Sequence, residues 1–201
     1  MDVVRSENIR PRYKSKPDSE KGCIKMSEGT NTLEIKKAGP ADVSLLSVLA
    51  SVTFYEAYYE QDSPHDLANY IVDSFEVGSI NEQIADPHCT FFIIYLDGRA
   101  VGYAKLLDGS REPCVRSANT IELKRIYVLE RLWRRGAGEA LLRHCIEVAR
   151  QMNKDSIWLG VWQQNARALP FYEKHGFEKV GTLEFPYGES VGINDVLELN
   201  L

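Results

Sequence analysis

Gly136 and Gly138 stand two positions apart in Arg131-Leu132-Trp133-Arg134-Arg135-Gly136-Ala137-Gly138, a turn that also carries three arginines. Glycine lets a backbone approach a ligand closely and lets successive N–H groups point inward together. The apolar, β-branched run 121–128 before the turn reads as a strand. After it, Leu141, Cys145, Val148 and Met152 recur at helical spacing. The start of that helix adds its positive dipole end. The backbone of Arg134, Arg135, Gly136, Ala137, Gly138 and Glu139 would then cradle an anion, and phosphate is the natural guest. A Gly-x-Gly turn also serves as a plain connector. The Gly-Lys-Ser/Thr of NTPase loops is absent, and so is the third glycine of a dinucleotide fingerprint.

About thirty residues on comes Asn165-Ala166-Arg167-Ala168-Leu169-Pro170-Phe171-Tyr172-Glu173-Lys174-His175-Gly176-Phe177. The two stretches together resemble the GNAT family of acetyl-CoA-dependent N-acetyltransferases. The first is similar to its motif A, Q/R-x-x-G-x-G/A. The second is similar to its motif B, N-x-x-A-x-x-(F/L)-Y-x-x-x-G-F. The resemblance covers 119–180 and extends from about 33 to the end. Within the family the chain looks most like the PaiA-like polyamine acetyltransferases.

Acetyl transfer to an amine needs the donor held, its carbonyl polarised, the ammonium deprotonated and the leaving thiolate protonated. The resemblance assigns the CoA pyrophosphate to the backbone at 134–139. It places pantetheine and the thioester against the central strand at Ile126, Tyr127 and Val128, where a bulge splays that strand from its neighbour. It puts Asn165 on the CoA side, a role compatible with capping the motif B helix. It makes Tyr172 the general acid; a phenol is a hydroxyl donor with a pKa near that of a leaving thiol, although a core tyrosine would look the same. Glu122 is a carboxylate in a strand otherwise suited to burial, which is costly unless it is used or paired. By resemblance it is a general base acting through water; the alternative is a salt bridge to Lys124, Arg125 or Arg143. The chain departs from the pattern twice. Trp133 fills the usual Gln/Arg position, and Pro170 falls inside the motif B helix, where it removes a backbone bond.

The acceptor side is expected near the first helices. Tyr55, Tyr58 and Tyr59 with Glu56 form an aromatic and acidic cluster that attracts ammonium groups, or else a half-buried helix face with solvated acids. The expected function is acetyl transfer from acetyl-CoA to a primary amine, with a polyamine or other small amine favoured, by direct attack in a ternary complex. The alternatives are a protein or peptide amine, and a catalytically silent CoA-binding sensor motivated by Trp133 and Pro170.

The elements that must position these groups can be read in order. A strand is expected over 32–37. A helix opening at Gly39-Pro40 should bury Leu45, Val48, Leu49 and Val52. A second helix follows, with Ser63 as N-cap and Pro64 at its first position, and a short third over 79–85. Strands over 90–96 and 99–107 should form a hairpin about Asp97-Gly98. The central strand and motif A helix come next, then a buried interior strand Ser156–Trp162. The motif B helix is expected over 165–175, stopped by Gly176, with closing strands near 177–185 and 193–199. The fold class is therefore α/β (α+β): a mixed, mainly antiparallel sheet flanked by helices, as the GNAT acyltransferase fold has.

At 201 residues there is room for one domain with a sizeable core. Residues 1–30 hold seven Lys/Arg against five Asp/Glu and few large apolar residues, so a flexible tail is expected there, with the single domain over 31–201. They lack the apolar stretch of a secretory signal and are too acidic for a transit peptide. The net charge of −5 argues against a nucleic-acid binder and suits a cationic substrate. No run is long enough to span a membrane. The four scattered cysteines point to a reduced, cytoplasmic protein without a zinc site, and no metal is expected. By resemblance a homodimer is one expected assembly.

Overall fold

The computed structural model of the chain describes residues 32–187 and 190–201; the expected tail 1–30 lies outside them. The first strand, β1 (Leu33–Lys37), leads through a short 3-10 turn into α1 (Val43–Tyr58), α2 (Pro64–Phe75) and α3 (Val77–Ala85). Then come β2 (Cys89–Leu96), β3 (Arg99–Asp108), β4 (Thr120–Val128), α4 (Ala137–Gln151), β5 (Ser156–Trp162), α5 (Ala168–Lys174), β6 (Glu178–Tyr187) and β7 (Ser190–Asn200). The strands form one sheet in the order β1-β2-β3-β4-β5-β7-β6. β4 and β5 run parallel and the other pairs antiparallel. This is the mixed, mainly antiparallel sheet flanked by helices that the sequence leads one to expect.

Apolar residues alternate along the strands and feed two layers. On one face, Leu46, Leu49, Ala50 and Phe54 of α1 pack with Phe75, Ile80, Phe91, Ile93 and Tyr103. On the other, Leu141, Leu142, Cys145, Ile146 and Ala149 of α4 pack with Ile121, Leu123, Ile157, Leu159 and Tyr172. The β2–β3 hairpin turns on Asp97 and Gly98, both at positive φ (49° and 74°), as a two-residue hairpin turn requires.

The pairing between β4 and β5 is short. It runs from Thr120↔Ser156 to Glu122↔Trp158 and stops. β4 meanwhile stays paired with β3 as far as Val128, across a register shift that leaves Lys124 without an opposite residue. That bulge comes two residues after the last β4–β5 pair, and beyond that pair the two parallel strands diverge. Gly102 of β3 lets β4 lie close at its far end. A Cβ there would meet the Tyr127 carbonyl oxygen at 2.5 Å and Val128 Cγ2 at 2.9 Å. Gly102→Ala should therefore displace the end of β4, cost about 1–3 kcal/mol of stability and weaken acetyl-CoA binding, which thermal unfolding with and without the donor would reveal.

Several expectations are corrected. Leu49 is buried in α1, but Leu45, Val48 and Val52 are exposed; Leu46, Ala50 and Phe54 take the buried positions. The helix is apolar on nearly every side, so spacing alone does not select the inward face. In α4 the buried stripe is Leu141, Leu142, Cys145, Ile146 and Ala149, and Met152 is exposed just beyond the helix end. The Ser63 side chain makes no capping bond to α2. α3 begins at Val77, two residues early, and α5 begins at Ala168, three residues late.

Candidate active site

The divergence of β4 from β5 opens the site. Residues 124–128 of β4 have no strand partner on the β5 side, which leaves an edge for a ligand that binds backbone. Ile126, Tyr127 and Val128 lie on this segment. Their side chains divide between the layers, with Ile126 and Val128 against the α4 core and Tyr127 against the α1 core.

The turn after β4 leads straight into α4. Arg134 and Gly136 have positive φ, 64° and 82°, the alternation that brings successive N–H groups to one side. Ala140 N–H is the first to bond back within the helix, to Gly136 O at 2.9 Å. The N–H groups of Ala137, Gly138 and Glu139 thus have no carbonyl behind them in the helix. With the dipole and Arg134 and Arg135 alongside, this cradle suits a pyrophosphate. The Glu139 carboxylate turns away from it, to Arg143 at 2.8 Å, and its hydrogen bonds there hold its pKa below the usual range.

Trp133 has a partner that the sequence does not announce. Its indole Nε1 donates to the Val128 carbonyl at 2.7 Å. The Arg167 guanidinium, from the loop before α5, lies 3.0 Å above the same ring. The Val128 carbonyl is thus engaged, and the edge's remaining backbone groups are those open to a ligand. Arg167 is missing from the sequence-derived site; only its place inside motif B hints at it.

Asn165 Oδ1 accepts the Ala168 N–H at 3.0 Å, so its side chain holds the turn that leads into α5, although the N-cap position expected for it is taken by Arg167. Because α5 starts at Ala168, Pro170 falls in the helix's first turn. Its missing N–H has no helical partner to lose there, so the expected loss of a helical backbone bond does not arise.

Tyr172 is buried among Cys145, Phe171 and Phe177 on the α4 face. Burial pushes its phenol well above the ordinary range, with the nearby Tyr58 adding to the effect, so it carries its proton at neutral pH. Glu122 is 3% exposed. Its neighbours Ile121 and Leu123 face α4, so alternation turns it to the opposite side of the sheet. Its Oε1 accepts from Lys124 Nζ at 2.9 Å, the first of the salt bridges considered, while its Oε2 is buried without a hydrogen-bond partner. A carboxylate on one face and a protonated phenol on the other flank the strand that opens the sheet.

A pocket of about 270 Å³ lies at the wide end of the divergence. It is lined by Glu56, Tyr58, Tyr59 and Glu60 from the end of α1, by Glu130 and Trp133 after β4, and by Trp162, Asn165 and Arg167 after β5. Glu56 accepts the Glu130 N–H at 2.8 Å and so ties two of these segments together. The Tyr59 hydroxyl donates to Glu60 at 2.9 Å. Tyr58 is half-buried and packs with Tyr127 in the α1 core. Tyr55 stacks on Tyr59 but is not in the lining. Among the described residues no group of His, Cys, Asp and Glu is placed to hold a metal.

The sequence and fold have relatives. The acetyltransferase (GNAT) family model matches residues 51–177. An uncharacterized N-acetyltransferase of Mycobacterium tuberculosis is 31% identical over 147 residues, 73% of this chain and 90% of that protein. One from Lactobacillus delbrueckii subsp. lactis is 28% identical over 158 residues, 78% and 91% of the two chains. The crystal structure of PaiA N-acetyltransferase from Thermoplasma acidophilum, in complex with coenzyme A, superposes with a TM-score of 0.70 at 20% identity, covering 85% of this chain and 99% of that one.

Proposed function

The chain belongs to the GNAT acetyltransferase family and is an acetyl-CoA-dependent enzyme acting on an amine; on that premise we propose that its acceptor is a small polycationic amine of the polyamine class. The observation that carries this reading is the composition of the pocket. Glu56, Glu60 and Glu130 surround it with Tyr58, Tyr59, Trp133 and Trp162. Arg167 is the cation in the lining, and it is engaged on the Trp133 ring. Carboxylates and aromatic faces together attract ammonium groups, and several of each suit an acceptor with more than one. The resemblance to PaiA-like enzymes points the same way.

The donor fits the site: a backbone cradle for its pyrophosphate at 134–139 and an open strand edge for its pantetheine at 126–128. Bound there, acetyl-CoA supplies the acetyl group. The N–H groups of the β4 edge hydrogen-bond the thioester carbonyl and favour the oxyanion that develops on it. Glu122, at the closed end of the divergence, takes a proton from the acceptor ammonium along a chain of waters that ends at Oε2, which leaves a neutral amine to attack directly in a ternary complex. Tyr172 gives its proton to the departing sulfur. Pro170 stands in the first turn of α5 and so does not misdirect Tyr172. Trp133 makes its own hydrogen bond in place of the missing Gln/Arg contact. Neither departure motivates a silent sensor.

The acceptor assignment is tested at the pocket wall. Glu60→Gln combined with Glu130→Gln should raise KM for spermidine about tenfold, as loss of two screened attractions implies. It should leave KM for acetyl-CoA and kcat near their starting values. An unchanged spermidine KM would remove the pocket from acceptor binding.

A further inference from the structure

β3 and β4 set three residue pairs along the face of the sheet that packs under α1. Tyr103 stands opposite Tyr127, Lys105 opposite Arg125, and Leu107 opposite Glu122. Residues opposite each other in an antiparallel ladder share a face. This strip therefore runs from the open segment of β4 back to its closed end at Glu122. It is polar in a layer that is otherwise apolar. Lys105 is buried, and its amine donates to Gln83 Oε1 at 2.9 Å. Arg125 Nη1 donates to the same oxygen at 3.2 Å, with its guanidinium over the Phe75 ring. Tyr103 is fully buried, and its ring stacks on Tyr127 at 5.9 Å, centroid to centroid. Among the described residues three buried side-chain polar atoms have no hydrogen-bond partner, and two of them, Tyr103 Oη and Glu122 Oε2, lie on this strip. A buried hydroxyl left unpaired costs stability, and a phenylalanine would fill the same space without that cost. A tyrosine here therefore calls for a use of its oxygen.

We propose that the Tyr103 hydroxyl is a link in the proton path from the acceptor ammonium to Glu122. The inference rests on Glu122 being the base, and it assigns Tyr103 a role that acts through Glu122. The span to be crossed calls for such a link. From Tyr127 back to Glu122 is five residues of strand, roughly 15 Å at the usual rise. Water carries the acceptor's proton to Tyr103 Oη from the pocket end, and Tyr103 passes its own proton through water to Glu122 Oε2. One N–H bond breaks at the ammonium, one O–H bond forms at Glu122, and Tyr103 ends protonated as it began. Burial holds this phenol well above its ordinary range, with Arg125, Tyr70 and Tyr58 near enough to act on it. It therefore hands a proton on without becoming an anion. Tyr58 lines the pocket, and Arg125 adjoins Lys124, the partner of Glu122. The two cations at the Glu122 end disfavour a free hydronium there. A neutral hydroxyl that accepts one proton while releasing another avoids that species.

Tyr103→Phe tests this, because stability and rate should move in opposite directions. Tm should hold or rise, since an unpaired buried hydroxyl is removed. At neutral pH, kcat/KM for any amine that the enzyme acetylates should fall by about tenfold or more. That loss should shrink as the pH is raised toward the amine's own pKa, where the acceptor arrives neutral and needs no relay. A packing defect would persist at every pH. In a Glu122→Gln background the substitution should cost little more, because the two groups serve one path. An unchanged rate at neutral pH overturns the proposal, and so does a loss that is constant across pH or one that multiplies with that of Glu122→Gln. If Glu122→Gln alone leaves the rate unchanged, the base assignment falls and the relay falls with it. A slow Glu122→Gln beside a fully active Tyr103→Phe removes the relay alone.

Discussion

Tyr172→Phe is expected to lower kcat by about 10²–10⁴-fold, the range for loss of a positioned general acid, with KM for acetyl-CoA little changed. The substitution keeps the ring, and the ring makes the packing contacts: Phe171 and Phe177 stand 5.3 and 5.6 Å away, centroid to centroid. What it removes is one hydroxyl, held protonated by burial. A leaving thiolate without that donor must depart as an anion in a poorly hydrated gap. Steady-state kinetics with both substrates varied would separate the outcomes. An unchanged kcat would make Tyr172 a core residue; a loss confined to acetyl-CoA affinity would make it a binding one.

Glu122→Gln should reduce kcat/KM for the amine by about 10²-fold or more, again the scale of acid–base catalysis. The side chain is nearly isosteric, and Lys124, which loses its partner, is 46% exposed and can be solvated. The stability cost should therefore stay within about 1 kcal/mol. The competing role is structural: Glu122 would exist to pair with Lys124. The control is Lys124→Met. If pairing is the whole role, both variants should slow the enzyme equally; if Glu122 moves a proton, Lys124→Met should retain most of the rate. The unpartnered Oε2, facing the side opposite α4, favours proton transfer.

The glycine turn into α4 and the motif B helix were legible because their information is local. Glycines at 136 and 138, a strand before and a helix after place N–H groups wherever the rest of the chain lies. The hairpin at Asp97-Gly98 and the stop at Gly176, at φ 86°, are equally local. The outer face of α1 was not legible, because Leu45, Val48, Leu49 and Val52 fit a buried stripe as well as the true one does. The pocket proposed for the acceptor was read only in part. Tyr58, Tyr59 and Glu56 come from the segment the sequence singled out, but Glu130, Trp162 and Arg167 arrive from loops brought together by the β4–β5 divergence. The roles of Trp133 and Arg167 likewise depend on a contact between two turns distant in sequence. Pro170 looked disruptive only because the helix was expected to begin three residues too early.

The most direct test of the account is thiol release from acetyl-CoA against a panel of amines: spermidine, spermine, aminoglycosides, free amino acids and short peptides. The account predicts saturable release with spermidine and spermine, and acetylated polyamine as the product. Release with peptides and none with polyamines, while acetyl-CoA still stabilises the fold, would contradict it.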